Sequence, residues 1–73
     1  MAKSKIQNSI RKLRFNAGEM TQQELADKVG VSRQTIVAIE KGNYSPSLEL
    51  AFRISHIFKK PLEEVFTYNF ETP

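Results

Sequence analysis

Seventy-three residues without a cysteine exclude a disulfide scaffold and a thiolate metal centre, and bound the chain to one small domain near the lower limit for a self-sufficient core. Hydrophobic residues make up 40% of it, enough to fold, yet no apolar run approaches a membrane span and no signal peptide is visible, so a cytoplasmic location is expected. Eleven Lys and Arg against eight Asp and Glu give a net charge of +3, which permits a nucleic-acid partner without requiring one.

The charge is unevenly distributed. Residues 1–14 hold Lys3, Lys5, Arg11, Lys12 and Arg14 and no acid, whereas residues 61–73 hold Glu63, Glu64 and Glu71 and no base. Ile6, Ile10, Leu13 and Ala17 recur at helical spacing and place a first helix over about 8–17, ended by Gly18. Arg11 and Lys12 on that helix are expected to form a solvated face, the alternative being proximity to phosphates.

The stretch TQQELADKVGVSRQTIVAIEKG, residues 21–42, reads as two short helices joined by a tight turn. Thr21 and Glu24 have the spacing of a capping box, in which hydroxyl and carboxylate each accept a backbone N–H at the helix start. Leu25, Ala26 and Val29 give the first of the two helices a small, apolar face. Gly30 suits a left-handed C-cap. Ser32 is a second N-cap, Ile36 and Ile39 form the apolar stripe of the next helix, and Gly42 closes it. Ala26 falls where the helices cross and a larger side chain would push them apart. The outward residues of the second helix, about 32–41, are then Ser32, Arg33, Gln34, Val37 and Lys41. Arg and Gln can make paired hydrogen bonds to base edges in the major groove.

These residues resemble the helix-turn-helix of the Xre family, the Cro and phage-repressor type, and the likeness runs from about Ile6 to Phe66. The resemblance implies an all-α, five-helix phage-repressor-like fold that binds double-stranded DNA, with Arg33, Gln34, Ser32 and Val37 as the base-reading set. It also implies that Arg14, at the end of the first helix, pairs with Glu40, at the end of the recognition helix. Guanidinium and carboxylate suit a bidentate pair; direct DNA contact by Arg14 is the alternative.

After Gly42, the run NYSPS marks a loop. In the resembled family this loop lies over the sugar-phosphate backbone, so Asn43, Tyr44 and Ser45, together with Gln22 at the head of the second helix, are the expected phosphate contacts. Tyr44 could instead pack its ring on the domain. Ser47 caps a fourth helix whose apolar residues, Leu48, Ala51, Ser55 and Phe58 on one face and Leu50, Ile54 and Ile57 on the next, suit a central core helix. His56 is expected as an ordinary surface residue rather than a metal ligand. Lys59 and Lys60 favour the helix C-terminus, and Pro61 opens a fifth helix over about Leu62 to Val65.

The tail from Phe66 to Phe70 alternates aromatic and polar residues, a strand signal. A strand needs a partner, and residues from about Ser4 to Gln7 are the available one, in an antiparallel pair that would set Lys3 and Lys5 near Glu71. The alternative is a tail without regular structure. Leu62, Val65 and Phe66 are surplus apolar residues for a homodimer through a C-terminal segment of about 61–71, although Phe66 could fill its own core.

No catalytic constellation, metal motif, phosphate-binding glycine loop or small-molecule site is visible, and no cofactor is expected. Two function classes remain. One is a DNA-binding regulator, a repressor acting on a palindromic operator as a homodimer. The other is a protein-interaction module, such as an antitoxin or adaptor, built on the same fold.

Overall fold

The computed structural model describes residues 5–70. Among the described residues, three of the five helices begin at a residue whose side chain caps them. Thr21 and Glu24 form the capping box at the head of α2 (Gln22–Val29): the Thr21 hydroxyl accepts from the Glu24 backbone N–H at 3.0 Å, and the Glu24 carboxylate accepts from the Thr21 backbone N–H at 2.8 Å. Ser32 caps α3 (Arg33–Glu40) and Ser47 caps α4 (Leu48–Phe58) through their hydroxyls. Between α2 and α3, Gly30 adopts φ +78°, a backbone that side-chain-bearing residues rarely take, and its N–H and that of Val31 both close onto the Ala26 carbonyl.

The first helix, α1 (Ile10–Asn16), starts two residues later than the spacing indicates, because residues before it belong to a strand. That strand, β1 (Ile6–Asn8), pairs antiparallel with β2 (Phe66–Tyr68), setting Ile6 opposite Tyr68 and Asn8 opposite Phe66. The terminal pair thus exists, displaced by a residue or two from the expected Ser4–Gln7 span. The expected proximity of Lys3 to Glu71 lies outside the described residues. A short α5 (Leu62–Val65) leads directly into β2, and the Ser9 N–H donates to the Val65 carbonyl at 2.9 Å, tying the two ends of the fold together.

The core joins Ile10 of α1, Leu25, Ala26 and Val29 of α2, Ile36 and Ile39 of α3, Leu50 and Ile54 of α4, and Val65 of α5. Helix α2 packs against both α3 and α4, and Ala26 is fully buried within that packing. Ser55 is buried with its hydroxyl donating to the Ala51 carbonyl, so no polar group is stranded there.

Two expectations need correction. Val65, expected on a dimer surface, is only 1% exposed. It completes the core of its own chain, and cannot offer its side chain to a second copy. Leu48, expected in the core, is 66% exposed. It shares a face with Ala51 but lies a turn nearer the start of α4, where that face is no longer covered.

Candidate nucleic-acid interface

The cap on α3 governs what its first residues can do. The Ser32 hydroxyl accepts from the Thr35 backbone N–H at 3.2 Å and lies 2.9 Å from the Thr35 hydroxyl, so it is occupied in starting the helix. Arg33 and Gln34, the first two residues of α3, project into solvent, and among the described residues neither side chain has a hydrogen-bond partner. Val37 follows one turn later, half-buried, and Lys41 after another.

Arg33, Val37 and Lys41 form one side of an open groove. The first turn of α2, with Thr21, Gln22 and Gln23, and the outward side of α1, with Arg11 and Arg14, complete it. Its floor is an ion pair. Arg14 Nε donates to Glu40 Oε2 at 2.7 Å, Arg14 Nη2 donates to Glu40 Oε1 at 3.0 Å, and Arg14 Nη1 donates to the Met20 carbonyl at 2.8 Å. The two side chains are 14% and 9% exposed. The guanidinium therefore spends its donors inside the protein, locking the end of α3 to α1 and to the turn before α2. Gln22 joins the network, its Nε2 donating to Glu40 Oε1 at 3.2 Å. Since Arg14 and Glu40 cancel, the charge left around the groove is that of Arg11, Arg33 and Lys41.

Asn43, Tyr44 and Ser45 lie on an exposed loop after α3 and do not line the groove. The Asn43 backbone N–H donates to the Ala38 carbonyl, which fixes the loop against the helix end. Tyr44 is 49% exposed. Away from this surface, Leu62 and Phe66 are half-buried and border a shallow apolar depression with Ile6, Thr67 and Tyr68.

Two features of the site leave no trace in local spacing, and a third, the place of Arg11, leaves only a faint one. Asn8 donates through Nδ2 to the Ile39 carbonyl at 2.9 Å and accepts at Oδ1 from the Ile10 N–H at 3.1 Å, bracing the end of α3 and the start of α1 together. Gln22 reaches Glu40, and Arg11 reaches the groove instead of standing only on a solvated face. The signal for Arg11 was its position three residues before Arg14, which puts both on one helical face. The Glu24 carboxyl, at the edge of the surface, is held below the usual carboxylate range, chiefly by the Thr21 backbone N–H it accepts.

Among the described residues no cluster of His, Cys, Asp and Glu could hold a metal ion, and no helix is long and apolar enough to cross a membrane.

Comparison with known proteins agrees with this geometry. A family model described as helix-turn-helix, HTH_3, matches residues 10–65. An uncharacterised HTH-type transcriptional regulator of Archaeoglobus fulgidus is 48% identical over 66 residues, covering 90% of this chain and 93% of its own. One from Bacillus subtilis, YgzD, is 46% identical over 61 residues, covering 84% and 91%. The cryptic phage CTXphi transcriptional repressor RstR of Vibrio cholerae is 34% identical over 58 residues, covering 80% of this chain and 51% of its own. The crystal structure of a Bacteroides fragilis protein to which DNA binding is ascribed superposes with a TM-score of 0.72 at 19% identity, covering 85% of this chain and 98% of that one, a likeness of fold.

Proposed function

The chain belongs to the helix-turn-helix family HTH_3, of the Xre and Cro type, a family of DNA-binding transcription regulators and not of enzymes; from that premise we propose that it is a repressor which binds a palindromic operator as a homodimer. The observation that carries this is the pair Arg33 and Gln34, unpartnered at the exposed head of a capped helix whose far end is locked by Arg14 and Glu40. A helix held at both ends presents those side chains to the major groove from a backbone that is already ordered. Arg33 takes a guanine edge and Gln34 an adenine edge, Val37 meets a thymine methyl, and Ser32 starts the helix beside a phosphate. Gln22, Asn43, Tyr44 and Ser45 hold the domain on the sugar-phosphate backbone and set its register. Repression is supported by the name of the Vibrio cholerae relative and by simple occlusion of the bound site.

One recognition helix covers only a half-site. Two-fold dimers place two such helices roughly 34 Å apart on one face of the duplex. The apolar depression bordered by Ile6, Leu62, Phe66 and Tyr68 supports the dimer surface, with the terminal sheet buttressing α5.

The test is selection of bound sites from a random duplex pool, followed by titration of Arg33→Ala and Gln34→Ala. Inverted half-sites spaced by about one helical turn are expected, and each variant should lose roughly 1–3 kcal/mol on the selected operator and far less on random DNA. Equal losses on both would remove the base-reading role. A pool that yields no enriched duplex would turn the function toward protein interaction.

A further inference from the structure

Arg11 and Lys12 are neighbours on α1, carry the same charge and are both exposed. The helix sends them in different directions. Arg11 lies three residues before Arg14, so it shares the face whose Arg14 builds the floor of the groove, and it forms part of the groove wall. Lys12 lies about 100° further round the helix; it shares a shallow depression with Arg11 near Glu40 but stays out of the groove, and borders a separate crevice with Leu13, Asn16 and the end of α4. Among the described residues the Arg11 side chain has no hydrogen bond and no ion pair. A guanidinium left unpaired beside a neutralised floor, in a groove otherwise walled by Arg33, Lys41 and the head of α2, is a charge without an internal use.

We propose that Arg11 contacts a phosphate of the bound duplex, which makes α1 a third DNA-facing element beside the helix-turn-helix and the loop after it. The contact is electrostatic and carries no sequence information: it strengthens binding to any duplex and leaves base choice to α3. It also gives the Arg14–Glu40 pair a second role. Without Arg14, the Glu40 carboxylate would stand bare in a groove that must accept phosphates. This inference rests on the DNA-binding reading, and its test separates the two.

Binding of a random-sequence duplex is measured against salt for the wild type, Arg11→Gln, Lys12→Gln and Arg11→Lys. Arg11→Gln and Lys12→Gln change net charge equally, so any difference between them is local. Each phosphate neutralised contributes about 0.9 to the slope of log K against log salt. Arg11→Gln should therefore flatten the slope by about 0.9, so that a fourfold rise in salt weakens it about 3.5-fold less than the wild type. Lys12→Gln should keep the wild-type slope, and Arg11→Lys should restore it, because a lysine serves a phosphate as a point charge. The melting temperature of all four should agree, and the Arg11→Gln decrement should be the same on a selected operator. Equal slopes for Arg11→Gln and Lys12→Gln, or a loss confined to the operator, would overturn the phosphate contact while leaving DNA binding intact. A wild type that binds no duplex would overturn both.

Discussion

Replacing Arg14 by Met tests the joint that holds the recognition helix. The substitution keeps most of the aliphatic stem and deletes three charge-assisted or carbonyl-directed hydrogen bonds. Glu40, 9% exposed in the intact pair, is then left with Gln22 at 3.2 Å as its remaining side-chain donor, and the Met20 carbonyl loses the Arg14 donor. Breaking one side of a buried pair costs about 3–5 kcal/mol. Residual exposure of both groups and the Gln22 contact argue for the lower end, about 3 kcal/mol. A domain of this size has roughly 4–11 kcal/mol in total, so the loss is a large fraction of it. At roughly 4–8 °C per kcal/mol, the melting temperature should fall by about 12–24 °C, read by far-ultraviolet circular dichroism at fixed protein concentration, since a dimer's stability depends on it. The double variant Arg14→Met, Glu40→Leu removes the stranded charge and should recover part of the loss, the Met20 carbonyl remaining short of a donor. A drop below about 4 °C, the worth of a solvent-screened surface pair, would refute the reasoning. If DNA binding were lost alongside such a small drop, Arg14 would belong on the DNA surface instead.

Tyr44→Phe deletes one hydroxyl and should weaken binding to operator and random duplex alike by roughly tenfold, the worth of a hydrogen bond to a charged group; a change in base preference in a repeated site selection would reassign Tyr44 to base contact. The Glu24 carboxyl has a folded-state pKa below its unfolded value, so its stabilising effect is present above the unfolded pKa and is lost as pH falls through the folded one. Glu24→Gln keeps an acceptor for the Thr21 N–H but no charge, so the stability difference between wild type and variant should shrink on acidification below the usual carboxylate range. A difference in denaturant midpoint that holds constant across that range would show that the carboxylate charge does nothing there. Leu62→Arg would set a charge against its symmetry mate at the proposed dimer surface; sedimentation at micromolar concentration should show folded monomers that bind the operator poorly, and a variant that stays dimeric would place the interface elsewhere.

The parts of this fold that could be read in advance are those whose chemistry is local. A Ser or Thr at an N-cap, a Glu three residues on and a Gly at a left-handed turn act within one helical turn, so Thr21, Glu24, Gly30, Ser32 and Ser47 announce α2, α3 and α4 from the sequence alone. Periodicity then says which side of a helix is apolar, but not how far along its length a neighbour covers it. That is why Leu48 carries the core pattern and yet stands exposed. In a helix as short as α5 the pattern cannot choose between Leu62 and Val65, three residues apart on one face. The choice is made by the Ser9–Val65 backbone bond, which brings the last turn over Ile10 and is invisible to any window of sequence. The end of α4 shows the same limit: Lys59 takes the left-handed cap at φ 55° where glycine would be the usual signal, and only Pro61 marks the stop. The groove lies at the far end of this scale. Asn8 reaches Ile39 across 31 residues, Arg14 reaches Glu40 across 26 and Gln22 reaches Glu40 across 18, and each bond requires the core to be closed first. The recognition helix itself is a local object, but these three long-range bonds tie its end to β1, α1 and α2. A substitution at Asn8, which lies outside the proposed DNA contacts, is therefore where the seating of α3 can be changed while the base-reading side chains stay the same.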